Sequence, residues 1–62
     1  MELTRVTIVD RIHWNERLTW LERESVHLRD LTEWYAWQIG HTDIEVMVDQ
    51  PTAVLYYLTW GA

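Results

Sequence analysis

A chain of 62 residues without cysteine has to fold without disulfides or a cysteine-based zinc site, and it encloses only a small core. It compensates with large rings, since five tryptophans and three tyrosines are present. The formal net charge is −5, and all five basic residues lie at or before Arg29, so the second half is acidic. An acidic half argues against direct binding to nucleic acid or to an anionic membrane. We expect one small domain over 1–62, reinforced by aromatic packing and by oligomerisation.

The N-terminal residues carry no signal for export or membrane insertion. They contain no apolar run typical of a signal peptide, and no stretch approaches the roughly 20 apolar residues of a membrane span. We therefore expect a soluble, cytoplasmic protein.

The first half predicts a strand followed by a helix. β-Branched residues dominate Leu3 to Val9, which is typical of a strand. Asn15 is a suitable N-cap, and the leucines, glutamates and arginines that follow favour a helix over about 15–31. One stripe at steps of three and four residues is expected to face the core: Trp14, Leu18, Leu21, Ser25, Leu28 and Thr32.

The segment 33–39 fits two structures. Asp30 and Glu33 have the spacing of a capping box, and Gly40 is placed to end a helix over 31–39. The helical middle would then extend to 39, either as one long helix from 15 or as two helices that break near Asp30. The same aromatic residues also suit a strand, with 40–43 as a hairpin loop. The pattern favours the helix slightly, and the strand stays open.

The C-terminal part predicts a β-hairpin over 44–60. Ile44, Val46 and Val48 alternate with other residues, and the proline within 49–52 suits a turn. In 53–60, seven of the eight residues are apolar or aromatic, so both faces of a strand there need cover. The predicted fold is α+β, with an N-terminal strand, a helical middle and this hairpin in one small sheet.

A strand with two apolar faces in so short a chain indicates self-association. Tryptophan and tyrosine are enriched at binding hot spots. We expect four of them to form an interface: Trp34, Trp37, Tyr57 and Trp60. The simplest cover is a second copy of the chain, which predicts a homodimer or small homo-oligomer.

Three carboxylates suggest a second binding surface. Asp43, Glu45 and Asp49 project from one side of the predicted strand, where residues two apart are separated by about 6.6–6.8 Å. Such a row could imitate a nucleic-acid backbone and occupy a basic groove on another protein. The alternative is an outer face that is simply solvated.

Nothing in the sequence has the pattern of a catalytic or metal site. The two glycines are isolated, which excludes a glycine-rich phosphate loop. His13, His27 and His41 lack the spacing of metal ligands. We expect no enzymatic activity, no metal and no cofactor.

These observations predict a non-enzymatic, acidic protein–protein interaction module. We expect a small inhibitor or adaptor that acts as a homo-oligomer on another protein, comparable in size and charge to small proteins that phages encode. Two alternatives stay open. One is a nucleotide-like small ligand bound by aromatic residues at an oligomer seam. The other is a structural subunit of a larger assembly.

Overall fold

Three strands and three helices alternate along residues 2–61, the part of the chain that the computed structural model describes. In chain order they are β1 (Leu3–Ile8), α1 (Trp14–Glu24), β2 (Arg29–Asp30), α2 (Trp34–Gln38), β3 (Ile44–Asp49) and α3 (Gln50–Trp60). β3 is the central strand and pairs antiparallel with β1 on one side and with β2 on the other. The predicted α+β class is confirmed.

One face of the sheet carries the core. Its fully buried apolar side chains are Val6, Ile8, Leu21, Ile44, Val46, Val48 and Tyr56. The strand residues among them lie side by side, because Val6 pairs with Val46 and Ile8 pairs with Ile44. α1 and α3 cover this face, and each contributes one large buried side chain.

The predicted helix over 15–31 is confirmed only in its first part. α1 begins one residue before Asn15, with His13 as its N-cap, and ends at Glu24. The core-facing stripe holds as far as Ser25, whose hydroxyl donates to the carboxylate of Asp49 at 2.6 Å. Ser25 has an extended backbone, so the chain leaves the helix there and reaches the sheet edge.

Beyond α1 the chain forms a short edge strand and then a short helix. β2 pairs with β3, and Thr32 extends this contact by exchanging hydrogen bonds with the backbone of Glu45. The helical interpretation of 33–39 is confirmed for the five residues of α2. One continuous helix from 15 to 39 is wrong, because β2 interrupts it.

The predicted hairpin over 44–60 is wrong in its second half. β3 is a strand as expected, but 50–60 is a helix, and the partners of β3 are β1 and β2. Pro51 stands in the first turn, where the missing N–H costs nothing, and Gly61 ends the helix with a φ of 77°. The aromatic and β-branched composition of 53–60 favoured a strand, and tertiary packing overrides that preference.

Candidate interaction surfaces

The outer face of α3 is apolar and open to solvent. We define it by Val54, Leu55, Tyr57 and Leu58, whose side chains are 52%, 48%, 43% and 78% exposed. The opposite side of the helix packs into the core through Ala53 and Tyr56. No residue from Gln50 to Gly61 carries a charge. A helix that is apolar on both sides normally lies in a protein interior or an interface.

The free edge of β1 is a second open surface. β1 is one of the two edge strands of the sheet, with β2 at the other edge, and pairs on one side only. Within residues 2–61, the backbone hydrogen bonds formed outside helices and strands do not involve β1. Natural sheets usually protect such an edge with proline, a bulge or inward-pointing charge. β1 has no proline, and its single charge, on Arg5, is exposed.

The sheet face opposite the helices is polar and mixed in charge. Arg5 of β1 and Arg29 of β2 lie on either side of Met47, since both pair with that residue. The guanidinium of Arg5 contacts the carboxylate of Glu45 at 3.2 Å, with both side chains well exposed. An ion pair so exposed contributes little to stability. This face therefore has the character of ordinary solvated surface.

Two residues of the predicted interface, Trp34 and Trp37, pack against Trp14 inside the protein. Their ring centroids lie 5.9 and 4.9 Å from that of Trp14 and 5.4 Å from each other. The guanidinium carbon of Arg11 lies 4.6 Å from the centroid of the Trp37 ring. Both rings are half-buried in this cluster. Their role in an interface stays a prediction. Packing against Trp14 leaves less of these two rings exposed than the sequence suggested.

The other two predicted interface residues lie on α3 and differ in environment. Trp60 is half-buried, with its ring edge-on to Trp20 at 6.4 Å and the guanidinium carbon of Arg17 at 5.5 Å. Its indole N–H and the Nε–H of Arg17 are buried without a hydrogen-bond acceptor within residues 2–61. Tyr57, by contrast, belongs to the outer face of α3. Of the four predicted interface residues, Tyr57 is the most exposed.

The structure gives partners to two of the three predicted acidic residues. Glu45 contacts Arg5, as described above, and Asp49 accepts hydrogen bonds from the hydroxyls of Ser25 and Thr52 at 2.6 and 3.0 Å. The bond from Ser25, followed by that from Thr52, holds the pKa of Asp49 below its ordinary value. Asp43 precedes β3 and is half-buried. That these carboxylates form a partner-binding face stays a prediction. Two of them already bind other residues within the chain.

Asp10 organises the turn that starts α1. Its carboxylate accepts the backbone N–H groups of Ile12 and His13 at 2.8 and 2.9 Å. The ring Nδ1 of His13 lies 2.9 Å away, and the guanidinium of Arg17 lies 3.2 Å away. These hydrogen bonds, that of the His13 backbone first, hold the pKa of Asp10 well below its ordinary value. Asp10 thus holds the turn that leads into α1 through an Asx-type contact, whereas the N-cap residue His13 makes no side-chain cap.

Asp10→Asn is expected to lower the melting temperature by several degrees at neutral pH and to weaken its dependence on acid, because the amide keeps an acceptor for the turn but removes the negative charge beside Arg17. Because the folded-state pKa is below the unfolded value of about 3.9, the unfolded chain takes up the proton first as the pH falls. The stabilisation is complete above that value and is lost as the pH falls through the folded-state pKa. Thermal unfolding from about pH 7 to about pH 2, at one protein concentration, measures it. An unchanged acid dependence in the variant would assign it to other carboxylates, such as Asp49.

Residues 2–61 contain neither a metal site nor a pocket. In this range no group of three histidine, aspartate or glutamate side chains is placed to hold a metal ion, and no cavity opens between the side chains. None of the helices in this part of the chain is long and apolar enough to cross a membrane. No family model, curated protein or solved structure matches the chain.

Sequence reasoning missed three members of the outer face of α3, namely Val54, Leu55 and Leu58. In a strand Leu55 lies on the opposite face from Val54 and Leu58, and only in a helix do all three share one face. Their spacing of one and three residues, between a proline near the start and a glycine at the end, was the available signal.

Proposed function

We propose that this chain is a non-enzymatic protein–protein interaction module that acts as a homo-oligomer. A small inhibitor or adaptor in the cytoplasm is the role that fits its size and acidic charge. The outer face of α3 carries this proposal. Its four residues form a continuous apolar surface on a helix whose opposite side is already buried in the core.

Electrostatics favour this surface over the acidic residues as the site of association. Two of the three carboxylates are occupied within the chain, by Arg5 and by the Ser25 and Thr52 hydroxyls. The outer face of α3 has no such internal partner and no charge to desolvate. Its burial therefore removes apolar area from water at little polar cost.

Solution mass across a range of concentrations tests the proposal directly. We expect light scattering to give twice the chain mass of 7.6 kDa at high concentration and a decline towards one chain mass on dilution. A folded monomer at every concentration would refute the homo-oligomer. Growth without limit would instead favour a structural subunit of an open assembly.

A further inference from the structure

We infer that two copies associate through β1, forming one six-stranded antiparallel sheet with the two α3 helices side by side on one face. This deepens the proposed function and rests on the homo-oligomer stated there. The two open surfaces, the edge of β1 and the outer face of α3, then become parts of a single isologous contact.

The area that a dimer interface must bury indicates that both β1 and α3 take part in the contact. A stable interface buries about 800 Å² per partner, about a fifth of the 4288 Å² that this chain exposes. One face of an 11-residue helix is too narrow to supply that area. β1 is the nearest open element, because α3 packs over both β1 and β3.

Elementary spacings make the two contacts compatible. Paired strands lie about 4.8 Å apart, so a two-fold axis between two β1 strands passes about 2.4 Å from each of them. A helix midway between β1 and β3 is then about 4.8 Å from the axis. The two α3 helices would be about 9.6 Å apart, within the 8–10 Å of packed helices.

The register follows from charge and from the faces of the sheet. Core-facing residues must oppose core-facing residues, so Arg5 meets either the partner's Arg5 or the partner's Thr7 near the strand centre. Opposed arginines repel, which selects the second register. Val6 then lies on the two-fold axis, and Leu3 lies opposite the partner's Val9. Val9 is 52% exposed in the single chain and gains cover in this arrangement.

Charge is compatible with a second copy as the occupant of this contact. Each copy carries −5, so association must avoid opposing the acidic residues. Neither Leu3–Val9 nor Gln50–Gly61 contains an acid. The paired segments therefore bring no two carboxylates together, and acidic residues face each other only just beyond them, where this register sets Glu2 opposite the partner's Asp10.

Two substitutions at Thr7 test the register. Each is expected to have opposite effects on the stability of the single chain and on the affinity of the dimer. Within one chain Thr7 pairs with Glu45, so Thr7→Arg is favourable there and Thr7→Glu is unfavourable. Across the axis Thr7 meets the partner's Arg5, and the preference reverses. We expect Thr7→Arg to weaken the dimer by about 2- to 30-fold and Thr7→Glu to strengthen it by a similar factor, since each contact occurs twice. Sedimentation gives the dissociation constants, and thermal unfolding at low concentration gives the stability of the single chain.

Hydrogen exchange supplies an independent readout. Half of the β1 amides point away from β3, and we expect them to become protected as the wild-type concentration rises, while Val26 and other loop amides stay fast. A dimer with fast β1 amides and equal dissociation constants for both Thr7 variants would overturn this pairing and leave the proposed homo-oligomer standing. A monomer at all concentrations would overturn both. Protection of β1 only on addition of a different protein would assign the edge to a foreign strand and overturn the pairing with a second copy.

Discussion

Leu58→Glu is expected to convert the proposed dimer into a folded monomer. Leu58 is 78% exposed in the single chain, and glutamate is nearly as good a helix former as leucine, so α3 itself should tolerate the change. In the dimer the substitution removes two buried leucines, each worth about 1.5–3 kcal/mol, and places two charges in the apolar contact. The expected loss of affinity is about 100-fold or more.

Val26→Glu is the matched control for this result. Val26 is 89% exposed in the loop after α1, away from both surfaces of the proposed contact. The control also adds one negative charge, so the general repulsion between copies changes equally in the two variants. Light scattering should show a monomer for the Leu58 variant and the wild-type mass for the Val26 variant. Equal dimerisation of both would exclude the outer face of α3 from the contact.

The parts of the fold that the sequence predicts well are those where pattern and composition agree. In β3 the β-branched residues Ile44, Val46 and Val48 occupy every second position, and all three are buried. α1 combines strong helix formers with a stripe of period near 3.6, and the stripe faces the core as far as Ser25. Local preference and tertiary packing favour the same structure in both elements.

Residues 53–60 show why other parts of the fold could not be predicted from the sequence. An almost wholly apolar segment has no periodicity, so only composition distinguishes strand from helix, and valine, tyrosine and tryptophan favour a strand. Pro51 and Gly61 are the signals that favour a helix, and each also occurs in hairpin turns. The inference of a surplus apolar face does not depend on which element forms. When one side of α3 packs into the core, its other side still exposes apolar residues.

β2 could not be predicted because its cause lies elsewhere in the chain. Its two residues have no strand pattern of their own, and they pair with β3 after the chain leaves α1 at Ser25, whose hydroxyl is bound to Asp49 at the end of β3. Thr32 then bonds the backbone of Glu45 and fixes the approach to α2. Long-range bonds of this kind leave no local trace in a sequence.

Tyr56→Ala is expected to remove a large part of the free energy of unfolding. Tyr56 is the largest fully buried side chain among residues 2–61, its ring packs on Trp20 and Tyr57, and its hydroxyl accepts a hydrogen bond from Arg17 at 3.3 Å. Truncation of a buried aromatic residue costs about 3–5 kcal/mol. A domain of 62 residues has a free energy of unfolding of only about 3–9 kcal/mol. The cost is therefore comparable with the whole stability.

Two further tyrosine variants separate the causes of that loss. Tyr56→Phe keeps the ring and removes the acceptor of Arg17, whose Nε–H already lacks a partner, so we expect a cost of about 1–2 kcal/mol. Tyr35→Ala, at a side chain that is 76% exposed on α2, should change stability by less than about 0.5 kcal/mol. Urea unfolding followed by tryptophan fluorescence, at one protein concentration, measures all three. A mild Tyr56→Ala, close to the Tyr35 control, would contradict the central position of this ring, because a fully buried aromatic side chain cannot be removed without leaving a cavity.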